Sequence, residues 1–380
     1  GPEAGTNGGE VVFEGTYDEL LKSKTLTAQY LNGEMEIEVP KKRIPIKNAI
    51  QVKGARENNL QNIDVTFPLN MLTVITGVSG SGKSTLMKDI LTPALQRGLD
   101  QYGNRIGDFD ELIGDVKKIK AIELIDQNPI GKSSRSNPVT YVKAYDDIRN
   151  LFASQKASKL MGFTAKHFSF NVDGGRCENC KGEGSITIEM QFMADVELEC
   201  EVCHGDRFQK EVLDVKFEGK NIADILNMTI DEALAFFTEH KQDKIVQKIK
   251  PLQDVGLGYV QLGQSSNTLS GGEAQRIKLA FFLTKGETKN NTLFIFDEPS
   301  TGLHFHDIQK LIKALRALIE IGHSVFVIEH NMDIIKVADW IIDLGPEGGK
   351  RGGNLVAEGI PEDVAKVKES FTGHFLAEKL

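Results

Sequence analysis

A β-branched run, Leu72-Thr-Val-Ile-Thr76, leads straight into Gly77-Val-Ser-Gly-Ser-Gly-Lys83-Ser84-Thr85, and a helical pattern opens at Ser84. No other stretch limits the fold as tightly. A buried strand, a glycine loop and a helix N-terminus, in that order, form the frame of a phosphate-binding loop. Gly77, Gly80 and Gly82 free the backbone so that N–H groups can turn toward phosphate oxygens. Lys83 brings a charge to the outer phosphates, and the Ser84 hydroxyl can ligate Mg²⁺. Ser81 and Thr85 complete the nucleotide-binding set, and the helix dipole adds to it. Apolar strand patterns alternating with helical ones continue at 292–296 and 324–328. The pattern predicts an α/β fold with a mostly parallel sheet.

Two further strands end in polar residues. Phe294-Ile-Phe296-Asp297-Glu298 is an apolar run closed by two acids. Asp297 is expected to hold Mg²⁺ and Glu298 to act as general base on the attacking water, because phosphoryl transfer needs positioning and charge stabilisation. His330, after Val325-Phe-Val-Ile328-Glu329, is expected on the γ-phosphate side. Gln127, after Ile122–Asp126, is the expected polar sensor of Mg²⁺ and water. Leu269-Ser-Gly-Gly-Glu273 resembles the signature of ATP-binding-cassette (ABC) ATPases. The resemblance implies that Ser270, Gly271 and Gly272 start a helix aimed at the γ-phosphate of an opposite cassette. It also implies that Ser300-Thr-Gly-Leu-His304 lies between two cassettes.

Ser84 and Leu269 have 184 residues between them, more than a minimal cassette needs. Inside that interval lie the chain's four cysteines, Cys177, Cys180, Cys200 and Cys203, as C-x2-C, 19 residues, C-x2-C. This spacing reads as a zinc site. Each pair extends to C-x2-C-x-G, and the glycine allows a turn in which backbone N–H groups face the sulfurs. Four thiolates leave no open position, so one structural Zn²⁺ is expected rather than a catalytic one. Two rivals fit part of the pattern. Cys200-Glu-Val-Cys203-His204 matches a haem-attachment motif, and Cys177–Gly184 matches the C-x2-C-x-G-x-G of DnaJ-type chaperones. The second cysteine pair argues against the first, and the presence of only two pairs against the second. Between the pairs, 185–192 and 196–198 alternate, which predicts a hairpin.

Composition is ordinary globular, 40% hydrophobic and 26% charged over 380 residues, with room for two or more domains. Net charge is −9, so overall charge gives no hint of a nucleic-acid partner. Segment 132–181 differs, with nine Lys or Arg against four acids and Phe163, Phe168 and Phe170 interleaved. It is a candidate phosphate-binding patch or a solvated surface over core aromatics. The hairpin, 182–206, carries seven acids and no Lys or Arg, so the zinc is expected to shape the module rather than grip phosphates. With all cysteines used by the metal, none remains for disulfides, which fits a reducing compartment. No apolar run reaches the roughly 18 residues a membrane span needs.

An internal repeat sets the expected organisation. Gly1, Pro2, Glu3, Gly5, Gly8, Gly9, Val12, Glu14 and Gly15 recur as Gly345, Pro346, Glu347, Gly349, Gly352, Gly353, Val356, Glu358 and Gly359. Thr27-Ala-Gln-Tyr-Leu31 echoes Thr372-Gly-His-Phe-Leu376. Residues 1–36 are therefore expected to be the tail of a preceding cassette. Residues 45–130 and 255–380 would be the second cassette, and 131–254 an inserted signature and zinc module.

With these motifs in order, the chain resembles the second half of UvrA, the damage-recognition subunit of the bacterial excinuclease. The likeness is carried by Gly54-Ala-Arg-Glu-Asn-Asn-Leu60, residues 77–85, Asp126-Gln-Asn-Pro-Ile-Gly131, Arg135-Ser-Asn-Pro138, Phe168-Ser-Phe-Asn171, Gly174-Gly-Arg-Cys177, Asp254-Val-Gly-Leu-Gly-Tyr259 and Asp343-Leu-Gly-Pro-Glu-Gly-Gly349. It implies an α/β ABC-type P-loop cassette with a large inserted signature and zinc-binding module. It implies ATP and Mg²⁺ as cofactors, damaged double-stranded DNA and UvrB as partners, a homodimer and a cytoplasmic location. The UvrB-docking region would lie in the preceding half. Alone, the chain would turn ATP over weakly, since Lys83 would lack an opposing signature. The alternatives are a drug-resistance-type paralogue, a transporter ATPase and a ribosome-associated cassette. The zinc module and the lack of a membrane span argue against the last two.

Overall fold

The computed structural model describes residues 1, 5, 8–99, 105–131, 133, 135–188, 190, 196–284 and 291–380. Pro2 and Glu3 of the repeat, Lys132 of the basic segment and residues 191–195 of the hairpin lie outside them. The chain forms two compact units. One comprises Gly1–Val12 and Gln127–Thr284, the other Phe13–Asp126 and Lys285–Leu380. The expected inserted module, 131–254, falls wholly within the first unit, which also takes in the signature segment.

The described strands are β1 (Ala49–Ala55), β2 (Ile63–Pro68), β3 (Leu72–Gly77), β4 (Glu111–Gly114), β5 (Ala121–Ile125), β6 (Ser185–Ile188), β7 (Val196–Glu199), β8 (Thr292–Asp297), β9 (Ser324–Ile328), β10 (Trp340–Gly345) and β11 (Asn354–Gly359). In the second unit a six-stranded sheet runs in the order β11-β10-β3-β9-β8-β5. All its pairings are parallel except β10 with β11. The inner strands are covered on both faces, so they read as continuous apolar runs rather than alternations. All five residues of β9 are buried. A second, antiparallel sheet, β2-β1-β4, does alternate, with Ile63, Val65 and Phe67 turned inward. The core between the sheets joins Val52, Val65 and Phe67 to Ile75, Phe326 and Ile342, and takes in Leu86, Met87 and Ile90 from the helix after β3.

One buried acid ties this unit together. Asp343 of β10, 2% exposed, accepts hydrogen bonds from Thr76 Oγ1 at 2.7 Å, Thr372 Oγ1 at 2.8 Å and Ser370 Oγ at 2.6 Å. It thereby joins the end of β3 to the Phe371–Leu376 helix, whose N-cap is Ser370.

The sequence repeat is also a repeat of backbone. Gly5 and Gly349 have φ of 65° and 62°, Gly9 and Gly353 both 82°, and Gly15 and Gly359 158° and 159°. The amides of Gly8 and Gly352 donate to the carbonyls of Gly5 and Gly349, each at 3.0 Å. The Leu26–Leu31 and Phe371–Leu376 helices are each six residues long and capped by a hydroxyl, Thr25 and Ser370. At these described positions the two copies share backbone conformation, although only the second continues as a strand, β11.

The first unit is helical apart from the antiparallel β6–β7 hairpin. Its helices start on local signals: Asn221 and Thr229 form capping boxes with Asp224 and Glu232. The signature helix, Gly271–Thr284, buries Ala274, Ile277 and Leu279.

Asp343→Ala is expected to strand three buried hydroxyls and cost about 3 kcal/mol. Urea denaturation read on the single tryptophan, Trp340, measures it. An unchanged midpoint would contradict the tie.

Candidate functional site

The phosphate loop leaves β3 at Gly77 in a backbone only glycine adopts easily. Gly77, Gly80 and Gly82 have φ of 129°, 75° and 105°. A Cβ on Gly77 would stand 2.0 Å from the Leu344 carbonyl, so the loop also needs glycine for room. Asn59 pins the loop from outside, donating Nδ2 to the Gly80 carbonyl at 2.9 Å and to that of Gly349 at 3.1 Å. Asn58 Nδ2 donates to Thr85 Oγ1 at 3.2 Å.

Lys83 folds back into its own loop. Its Nζ donates to the carbonyls of Gly77 and Val78, both at 2.9 Å. Burial pushes the Lys83 ammonium below its usual pKa, against the pull of the Glu298, Asp343 and Asp297 carboxylates. Ser81 is fully buried and its Oγ has no partner, while Ser84 is exposed. The loop thus presents a buried cation and an open hydroxyl.

Asp297 and Glu298 end β8, one strand removed from β3 across β9. Asp297 Oδ2 takes a hydrogen bond of 2.5 Å from Lys88 Nζ, one turn along the helix after the loop. Sequence reasoning missed Lys88, which stands in the first turns of the helix that follows Lys83. Glu298 is a non-glycine residue with φ of 46°, and its carboxylate lies 3.7 Å from His330 Nε2. Lys83, Asp297, Glu298 and His330 are therefore brought together at the carboxyl ends of β3, β8 and β9. Glu329, between β9 and His330, carries no sequence signal of a role, yet it is 2% exposed and bonded to backbone amides.

The other expected nucleotide contacts belong to the first unit. Ser270 caps the signature helix reciprocally: Ser270 N donates to Glu273 Oε2 at 2.8 Å, and Glu273 N to Ser270 Oγ at 3.3 Å. Tyr259 Oη donates to Glu273 Oε1 at 2.6 Å. Gly271 packs on Gln127, where an added Cβ would stand 2.9 Å from Gln127 Cβ. Gln127 thus sits beside the start of the signature helix.

The four cysteines converge. Their sulfurs all lie within 4.8 Å of one another. Cys177 and Cys200 are 3.9 Å apart and Cys180 and Cys203 3.6 Å. A tetrahedron with metal–sulfur bonds of about 2.3 Å has edges of about 3.8 Å, so the sulfurs fit zinc. Asn179 Nδ2 donates to Cys200 Sγ and the Gly184 amide to Cys180 Sγ, each at 3.3 Å. Such donors stabilise thiolate charge, which a zinc tetrathiolate requires.

The basic segment divides. Phe168 and Phe170 are core residues with no exposed surface, so they offer no face to a base. Arg135 pairs with Glu183, Arg149 with Asp146 and Arg176 with Asp173. Lys156, Lys159, Lys166 and Lys181 are exposed.

An α/β sheet ending in a phosphate loop and acid pair, with a signature helix and a cysteine module, defines an ABC-type ATPase cassette with a large insertion. No family model matches the chain. It is 52% identical over 382 residues to UvrABC system protein A of Clostridium perfringens, covering 100% of this chain and 40% of that protein. It is 53% identical over 378 residues to UvrABC system protein A of Staphylococcus epidermidis, covering 99% and 40%. The crystal structure of UvrA2 from Deinococcus radiodurans matches all of this chain and 46% of that one, at 42% identity and a TM-score of 0.91. The chain belongs to the UvrA family over the part of those proteins that it spans, about 40% of the curated relatives' length.

Cys177→Ser is expected to lose bound zinc and lower the melting temperature of the first unit, since structural zinc contributes folding energy directly. Metal analysis and calorimetry together read this. Retained zinc with unchanged melting would remove Cys177 from the ligand set.

Proposed function

We propose that this chain is the second ATPase cassette of a UvrA-type DNA damage-recognition protein. ATP binding and hydrolysis here modulate the hold on duplex DNA and the hand-over to UvrB. The observation that carries the reading is the convergence of Lys83, Asp297, Glu298 and His330 at neighbouring strand ends. The relatives named UvrABC system protein A support the wider role.

In this reading the loop amides from Gly77 to Thr85, with Ser81, cradle the phosphates. Lys83 leaves the Gly77 and Val78 carbonyls for the outer phosphates. Ser84 and Asp297 hold Mg²⁺, and Lys88 must first release Asp297. Mg²⁺ held by Ser84 and Asp297 would supply charge neutralisation at the phosphates. Glu298 accepts a proton from the attacking water as its oxygen bonds to the γ-phosphorus and the bond to the bridging oxygen breaks, leaving ADP and phosphate. His330, beside Glu298, contacts the γ-phosphate side. Gln127 senses Mg²⁺ and water, and Ser270, Gly271 and Gly272 serve the nucleotide of a partner cassette. Cys177, Cys180, Cys200 and Cys203 hold one structural zinc. The exposed lysines of the 132–181 segment are the candidate phosphate contacts. The same reading gives a cytoplasmic homodimer that works without a membrane.

The test is a fluorescence anisotropy titration of the full-length protein containing this chain against matched duplexes, one intact and one with a bulky adduct. ATP and salt are held fixed, because phosphate contacts make affinity salt-dependent. Tighter binding to the damaged duplex is expected. Equal or absent binding would reject the damage-recognition role.

A further inference from the structure

Glu329 takes no part in the chemistry proposed above, yet it is bonded to β3 and to two loops beside that chemistry. Its buried carboxylate accepts from the backbone of two separate loops. Oε1 takes the Ser300 amide at 2.9 Å; Oε2 takes those of His330 at 2.8 Å and Asn331 at 3.0 Å. Its own amide donates to the Ile75 carbonyl of β3 at 3.1 Å, two residues before Gly77. The preceding carbonyl, of Ile328, accepts the Glu298 amide at 2.9 Å. One short stretch thus binds the strand that feeds the phosphate loop, the loop after Glu298 and the loop that carries His330.

Glu298 needs such support. With φ of 46° it occupies a region that few non-glycine residues enter. Conformations of this kind persist only where the surroundings over-determine them. A carboxylate accepting backbone amides makes strong, charge-assisted bonds, and here they fall on both sides of the Glu298–His330 pair.

We infer that Glu329 is a positioning residue for hydrolysis, fixing the Ser300 and His330 loops so that Glu298 and His330 face one nucleotide together. The inference rests on the ATPase reading above. It predicts an asymmetric response to Glu329→Gln, which keeps shape and volume but replaces one acceptor oxygen by an N–H donor. Turned one way, the amide releases Ser300; turned the other, it releases His330 and Asn331.

The experiment combines three readouts on the full-length protein containing this chain: amide hydrogen exchange, affinity for a fluorescent ATP analogue, and single-turnover hydrolysis with protein in excess. For Glu329→Gln, exchange at Ser300 or at His330 and Asn331 should quicken by at least about tenfold. Turnover should fall by at least about tenfold while nucleotide affinity moves less than about threefold. Glu298→Gln is the companion: it should lose turnover with all three amides still protected. Wild-type turnover in Glu329→Gln would overturn the inference, as would affinity falling in step with rate, the mark of simple structural damage. Unprotected amides in the wild type would overturn the tether alone. A wild-type full-length protein with no turnover would sink the ATPase reading itself and the inference with it.

Discussion

The central constraint is that the sheet's inner strands are buried on both faces. β3, β8 and β9 can carry no charge along their length, because nothing in the core would pair with it. Polar chemistry is confined to where each strand leaves the core. Since β3, β8 and β9 run parallel, those exits lie at one edge of the sheet, which is where open α/β sheets bind ligands. The phosphate loop, the acid pair and His330 are three exits from one sheet. Asp343 and Glu329 are the two buried acids that fix the exits, one from the side of β10 and one from the end of β9.

Much of this was legible in sequence. The apolar runs at 72–76, 292–296 and 324–328 correspond to β3, β8 and β9 within a residue at either end. Their residues have to be apolar on both faces, so the signal is strong. The cysteine spacing was equally direct, because four ligands for one ion fix both residue type and separation. The internal repeat, read from glycines, reappears as matching φ at Gly5 and Gly349 and at Gly9 and Gly353, since a left-handed backbone permits little else there.

What sequence left hidden is partnership. Glu329 reads as one more acid after a strand, and its meaning comes only from the amides of Ser300 and His330, far apart in the chain, meeting at its two oxygens. Lys88 reads as a solvated helical lysine until Asp297 is seen beside it. For Phe168 and Phe170 the sequence leaves two readings open, a basic patch with interleaved aromatics or a core beneath a solvated surface, and burial makes them core. In each case the residue type was plain and its surroundings were set by contacts far along the chain. The acidic hairpin strands β6 and β7 remain consistent with a module that zinc shapes from within.

The account stands on Lys83, Asp297 and their neighbours forming a nucleotide site. Calorimetric titration of the chain with ATP, in the presence and absence of Mg²⁺, tests that most directly. The account predicts one ATP per chain, bound more tightly with Mg²⁺ because the ion would offset the repulsion between the phosphates and the Asp297 and Glu298 carboxylates, even though Lys88 must give up Asp297. Absence of binding, or binding indifferent to Mg²⁺, would contradict it.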